Sequence, residues 1–237
     1  MLRIILSFFG GVFTFLTMTV VAFALTIGAV FWIYGRDLPS HELLAQYKPP
    51  TISRIYSGEG RIVDEFARER RLFTGAKDVP ILIKQAFISA EDKNFYSHPG
   101  YDLRGILSAA FDAARSGGRR VRGASTITQQ VMKNFLLDGS RRAERKIKEI
   151  ILATRIENTL DKERILELYL NEIFLGQNSY GVTAAAQTYF NKTLDELAPH
   201  EAAFLASLPK APSDFHPVRR KQRLLDRRNY VLKEMWQ

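Results

Sequence analysis

The sequence predicts a mainly helical domain, tethered to a membrane by one N-terminal helix and carrying one small β-hairpin. Three features of the 237 residues predict it. An uncharged apolar run extends from Ile4 to Gly35. Two short alternating segments flank Gly58-Glu59-Gly60. From Pro80 onward, apolar residues recur at helical spacing.

The apolar run defines an anchor over residues 1–35. A spanning helix needs about 20 apolar residues, and this run is longer, which implies tilt or a helix that continues past the bilayer. A cleaved signal peptide has an apolar core of only about 7–15 residues. The triplet Ala22-Phe23-Ala24 mimics a cleavage site but lies inside the run. Arg3 and the amino terminus are positive, while Arg36 and Asp37 cancel on the other side. The cation count favours neither side strongly; a two-residue head before a large domain puts the N-terminus inside and the bulk outside, with the reverse topology as the alternative.

Residues 36–50 read as a juxtamembrane linker ending in Pro49-Pro50. ISRIYS and RIVDEF then form the arms of a hairpin around the glycine-containing loop. Pro80 suits a first helical turn, and Ile81, Leu82, Gln85, Ile88 and Ser89 share one face of the helix that follows. Arg115 to Gly123 is a flexible basic loop. Ser140 is placed to cap a helix turning Ile147, Ile150, Ile151 and Thr154 inward. Asp161 is placed to cap the next, with Leu166, Leu170, Ile173 and Phe174 inward and Gly176 at its carboxyl end. Thr193 to Glu196 has a capping-box pattern. The final stretch, residues 218–237, is a basic helix without a stop signal, as expected of a piece of a longer protein.

Roughly 200 residues follow the anchor, enough for one domain with its own core. All 25 acidic residues and all but one of the 34 Lys and Arg lie there, leaving that part at +8. A basic domain beside a membrane favours anionic headgroups or diphosphates. Nucleic acid is the plain alternative for such charge, but the tether and the lack of a nucleic-acid fold signature count against it. With no cysteine, disulfides and thiol catalysis are excluded. His41-Glu42 and His200-Glu201 lack the second His of a zinc helix, and no phosphate-loop or dinucleotide fingerprint occurs. Ser207-Leu-Pro-Lys210 matches an S-x-x-K nucleophile motif, but Pro209 opposes the helical turn it needs and its partner motifs are lacking.

Glu91 closes the helix that starts after Pro80, within EDKNFYSHPG. The negative end of a helix dipole and burial by Phe95 and Tyr96 both raise a carboxyl's proton affinity, as a general base requires. An exposed helix-end carboxylate is the plain alternative. His98 reads as a loop histidine orienting the turn before Gly100, because no second metal ligand has suitable spacing. GASTITQQ gathers Ser125, Thr126, Thr128, Gln129 and Gln130, suited to sugar hydroxyls or phosphate oxygens; Ser125 or Thr126 serves equally as a helix cap. Lys133 follows Gln129 on the same face. In RKIKE, Arg145 and Lys146 precede Glu149 by four and three residues. The basic-before-acidic order is the poorer one for a surface pair, whereas Arg141, Arg142, Arg145, Lys146 and Lys148 together make a cationic helix able to clamp a diphosphate.

These segments, with ELYLNEIFLG, YGVTAAAQTYFNK and EAAFLASLPKAPS, resemble the five ordered motifs of the peptidoglycan glycosyltransferases. Those enzymes form the amino-terminal domain of class A penicillin-binding proteins. The resemblance covers Thr51 to Pro217, and IYSGEGRIVDEF is similar to the 1A branch. It implies a lysozyme-like, two-lobed helical fold over residues 51–217. The basic helix at 218–237 then leads towards the transpeptidase domain that class A members carry. It implies polymerisation of lipid II into glycan strands with inversion and release of undecaprenyl diphosphate, on the outer, periplasmic face of the bacterial inner membrane. Lipid II and the growing strand are then the substrates, with cell-wall synthesis proteins as further partners. No cofactor is obligatory, and a divalent cation is compatible. By resemblance, Glu91 matches the general base and Glu149 the second essential carboxylate. Phe95, His98, Ser125, Thr126, Gln129, Gln130, Lys133, Arg141, Arg145 and Lys146 match substrate-binding positions. The one departure is YFNK at Tyr189–Lys192 where YFGK is common. Two rival expectations remain: a lytic enzyme of the same fold that cuts glycan, and an inactive membrane-anchored scaffold.

Overall fold

The computed structural model describes residues 2–36, 38, 44, 47, 53–60, 62–66, 70–117, 125–137, 142–210, 215 and 220–237. The expected cap Ser140, the cation Arg141, the Pro49-Pro50 boundary and the basic stretch 118–124 lie outside the described residues.

Helix α1, Leu2–Gly35, is the helix expected to be the anchor. Its 34 residues span about 50 Å against a hydrocarbon core of about 30 Å. The segment Phe9–Gly35 is long and apolar enough to cross a membrane, and its apolar window is not buried in the rest of the protein. Thr14, Thr17, Thr19 and Thr26 each donate to the carbonyl four residues back, so these four hydroxyls are bonded within the helix. The anchor ends against the domain, where Arg155 Nη2 donates to the carbonyl of Gly35 at 3.0 Å.

Strands β1, Ser53–Tyr56, and β2, Ile62–Phe66, form the expected antiparallel hairpin, with an irregularity between Ile55 and Tyr56. A two-residue strand β3, Arg70–Arg71, later runs parallel to β4, Ser179–Tyr180. The stretch expected to be a linker touches the domain: Leu44 is buried in the core, and Tyr47 donates to Glu172 at 2.6 Å while meeting Phe135 edge-on.

The body consists of α2, Ile81–Glu91; α3, Leu103–Arg115; α4, Ile127–Leu136; α5, Arg142–Glu157; α6, Lys162–Glu172; α7, Val182–Phe190; α8, Pro199–Ser207; and α9, Lys221–Trp236. Helices α2, α8 and α9 pack on one another, and α4 packs on α5 and α6. One continuous apolar core joins the two groups. Fully buried Phe87, Phe95, Ile127, Leu152, Tyr169 and Leu170 each contribute about 1.5–3 kcal/mol by leaving water.

Several local expectations are corrected. On α2 the buried face is Ile83, Ala86 and Phe87, while Ile81 is 71% exposed. On α5 the fully buried apolar positions are Ile151, Leu152, Ala153 and Ile156, with Ile147, Ile150 and Thr154 only partly covered. Asp161 does cap α6, accepting from Arg164 N at 2.7 Å, but the helix ends at Glu172 and Phe174 stays 38% exposed. Gly176 opens the turn that leads into β4 rather than closing a helix. Glu196 reaches back to Thr193, yet only a turn follows; the helix starts at Pro199, where Glu201 accepts from Ala198 N at 2.8 Å. Asn191 ends α7 in the left-handed conformation at φ 54°, which asparagine tolerates better than most side chains. That explains why the family's common glycine is replaceable here. Helix α9, the expected basic helix at 218–237, packs on α2 and α8.

Candidate active site

Glu91 is the last residue of α2, whose buried face fixes the helix end against α8 and α9. Its Oε2 accepts from Gln130 Nε2 at 2.9 Å, and its Oε1 lies 3.7 Å from Arg227 Nη2. Burial pushes its carboxyl above the ordinary value of 4.5; the Gln130 hydrogen bond and the charges of Arg227 and Lys210 pull it back, and Asp92 adds a smaller upward push.

The opposite wall comes from α4 and α5. Thr126 caps α4: its Oγ1 accepts from Gln129 N at 3.1 Å and donates to the Gly100 carbonyl at 2.7 Å. The cap leaves Ser125 at the groove edge and turns Gln129, Gln130 and Lys133 along one side of the helix. On α5, Glu149 is 5% exposed and has a cation at each oxygen: Arg145 Nε is 3.5 Å from Oε1 and Lys146 Nζ is 3.2 Å from Oε2. The Lys146 ammonium also donates to Ser125 Oγ and Gln129 Oε1, each at 2.7 Å. Three hydrogens thus meet three acceptors.

Between these walls lies an open groove of about 810 Å³. Glu91 and Glu149 both line it, with Ser125, Gln129, Gln130, Lys133, Arg145 and Lys146 from the sequence-predicted set. A smaller pocket of about 330 Å³ shares Lys133 and Arg145 and adds Asn134, Glu172, Phe174 and Tyr180, bringing the ELYLNEIFLG segment beside the groove.

Three predicted residues are not groove-lining. Phe95 is fully buried in the core, edge-on to Tyr96 and His98 and beneath the Lys162 ammonium at 4.7 Å. Tyr96 itself is 55% exposed and donates to Glu163, so it does not bury Glu91. His98 accepts from Gly100 N through Nδ1 at 3.2 Å, which leaves Nε2–H to donate to Asp92 at 2.9 Å. Asp92 Oδ2 accepts in turn from Ile127 N at 2.9 Å, tying the EDKNFYSHPG turn to the start of α4. Phe95, His98 and Thr126, matched to binding positions by resemblance, instead engage their side chains inside the protein and build the frame that aims Glu91 and the α4 side chains. Among the described residues no cluster of three or more His, Asp or Glu is placed to hold a metal.

Sequence reasoning missed Lys210, Arg227 and Tyr230, all of which line the groove. Lys210 belongs to the rejected S-x-x-K segment. Ser207 is buried there and donates to the Ala203 carbonyl at 2.7 Å, so it is no nucleophile. No local signal marks Arg227 and Tyr230, because α9 reads as a basic helix and only tertiary packing turns them towards Glu91.

The family model described as Transglycosylase matches residues 59–236, and the chain belongs to that family. Curated relatives agree. The chain is 51% identical over 210 residues to penicillin-binding protein 1A of Rickettsia felis, covering 88% of this chain and 27% of that protein. It is 44% identical to penicillin-binding protein 1A of Aquifex aeolicus, covering 91% of this chain and 30% of the relative. The crystal structure of Penicillin-Binding Protein 1A from Haemophilus influenzae aligns at TM-score 0.44 with 31% identity, over 80% of this chain and 18% of that one. The chain thus spans under a third of the length of these relatives.

Proposed function

We propose that this chain is a membrane-anchored peptidoglycan glycosyltransferase that polymerises lipid II, acting on the outer face of the cytoplasmic membrane. One observation carries the reading: Glu91 and Glu149, 58 positions apart in sequence, share a groove lined by Lys133, Arg145, Lys146, Lys210 and Arg227. Two acids and five cations on one groove suit a reaction that takes a proton from a hydroxyl and stabilises a departing diphosphate.

Glu91 is assigned the base. Its Oε2 is held by Gln130, while Oε1 accepts no hydrogen bond among the described residues. The acceptor's 4-hydroxyl gives its proton to Oε1 as its oxygen attacks C1 of the donor sugar. The C1–O bond to the diphosphate breaks, and the electron pair leaves with phosphate. A single displacement on an α-linked donor yields a β-linked product, so no covalent glycosyl-enzyme forms. Lys133 and Lys210 are exposed and bond to no other described residue, leaving both ammonium groups available to phosphate oxygens. Cations along the groove, including Arg145 and Lys146 held by Glu149, supply the charge stabilisation that a good leaving group needs more than acid. Glu149 is assigned to holding Arg145 and Lys146 in place. No residue is assigned to a metal or cofactor. The anchor confines enzyme and lipid-linked substrate to one surface, which raises their effective concentration.

A positioned base contributes roughly 10²–10⁴-fold in rate. Glu91→Gln is expected to lose polymerisation of lipid II by that factor, read as glycan chain length on gels, without a fall in melting temperature. Wild-type chain growth in that variant refutes the assignment. Incubation with purified sacculi separates the lytic alternative: soluble muropeptides in place of chain growth would favour cleavage.

A further inference from the structure

We propose that Arg227 is a positioning residue for Glu91, holding its carboxylate ionised while leaving one oxygen open to the groove. This rests on the reading of Glu91 as the base and adds a residue from the last helix to it.

The geometry is specific. Arg227 Nη2 donates to the Ala90 carbonyl at 3.0 Å. That carbonyl is in the final turn of α2, where no further turn supplies a helical partner. The guanidinium also lies over the Tyr230 ring, 4.9 Å from its centroid and one turn further along α9. Two contacts that do not involve Glu91 thus fix the cation, whose side chain is 14% exposed. From there Nη2 sits 3.7 Å from Glu91 Oε1: close enough for charge attraction, too far for a hydrogen bond. Its buried Nε has no hydrogen-bond partner among the described residues. A bidentate salt bridge would occupy Oε1 and block its use as a proton acceptor. The arrangement seen here attracts the negative charge without taking the lone pair.

Other ionisable groups that face Glu91 are Asp92 next in the chain, Lys210 from the loop after α8, and the buried Tyr169 phenol from α6. Asp92 and burial favour the protonated carboxyl; Arg227 and Lys210 oppose them. Without Arg227 the balance moves towards the acid, and a protonated Glu91 is no base. Lys210 is exposed, so its charge is screened and cannot substitute for a guanidinium fixed against the carboxylate.

The test uses the full chain in detergent micelles, with glutamate labelled at the carboxyl carbon and the Glu91 signal assigned from its loss in Glu91→Gln. An opposite charge at this distance holds a carboxyl down by about 1–3 units. The Glu91 titration midpoint is expected to rise by at least about one unit in Arg227→Gln. Arg227→Lys should fall between, since an ammonium cannot satisfy Ala90 and stack on Tyr230 as a guanidinium does. The acid limb of kcat for lipid II polymerisation should move upward with the midpoint, with kcat at neutral pH falling more than KM rises. An unchanged or lowered midpoint in both variants overturns the proposal, whatever their activity. A midpoint that rises while the rate profile stays fixed upholds the Arg227–Glu91 coupling and removes Glu91 from the role of base. If Arg227→Gln does not fold, the Arg227→Lys midpoint decides alone.

Discussion

Lys146→Met tests how the groove wall is held together, because one ammonium ties α4 to α5. The substitution removes hydrogen bonds to Ser125, Gln129 and Glu149. It leaves Glu149, 5% exposed, with only Arg145 at 3.5 Å. Removing one partner of a fully buried ion pair costs about 3–5 kcal/mol, and of an exposed pair about 0–1 kcal/mol. Here the carboxylate is buried but the lysine side chain is 39% exposed, which places the loss near the middle, about 2 kcal/mol. For a protein of this size that lowers Tm by about 4–8 °C. The decisive assay is a double-mutant cycle with Glu149→Gln, following thermal unfolding of the detergent-solubilised chain by circular dichroism. Once the carboxylate is neutral, losing the ammonium leaves no buried charge unpaired, so the double variant should be more stable than the summed singles by about 1–2 kcal/mol. Additivity within about 0.5 kcal/mol would refute the claim that Lys146 and Glu149 stabilise each other.

Asp92→Asn should lower stability by about 2 kcal/mol in the same unfolding assay, since one amide cannot accept from both His98 and Ile127 without facing a donor with its own hydrogens. Gly100→Ala should cost about 3 kcal/mol, read as a fall in Tm: φ is +90° and a Cβ would stand 2.6 Å from the Ala153 carbonyl oxygen, which is helix backbone and cannot step aside. Glu91→Gln should flatten part of the stability–pH curve. The folded carboxyl binds its proton more tightly than the unfolded one, so wild-type stability falls as pH rises from about 4.5 through the folded value; the variant lacks that fall.

What was legible in the sequence was what depends on near neighbours. The hairpin follows from a three-residue loop between alternating segments, the α6 cap from Asp161, and Glu91's place at a helix end from Pro80 upstream and the turn downstream. Which face of a helix is buried was less legible when both faces are apolar. In ILIKQAFISA one stripe contains Ile81, Leu82 and Ile88, the other Ile83, Ala86 and Phe87, and packing by α8 and α9 selects the second. Gly176 looked like a helix stop because glycine favours positive φ, but Gln177 and Asn178 share that region and the three make a turn instead. In the site, the α4 and α5 groups were readable because their polar residues cluster within one or two turns. Lys210, Arg227 and Tyr230 were not, since their distance from Glu91 in sequence exceeds 100 residues and nothing local distinguishes them from surface lysines, arginines and tyrosines.

The two groove carboxylates differ in the group bonded to them: an ammonium at Glu149 and a neutral amide at Glu91. Glu149 has a cation at each oxygen, both from its own helix. Glu91 has a neutral amide at one oxygen and an attracting but unbonded cation near the other. A proton acceptor needs an open lone pair and a charge that is costly to keep; Glu91 Oε1 accepts no hydrogen bond among the described residues, and burial pushes its carboxyl up. The order of charges on α5 fits the same difference. A cation placed before its acid is the weaker arrangement for helix stability. Yet from positions 145 and 146 the two cations stand a turn towards the helix start, where Lys146 meets Ser125 and Gln129 and both face the groove. The order thus costs a few tenths of a kcal/mol of helix stability while both cations stand on the groove wall, where the function proposed above uses them.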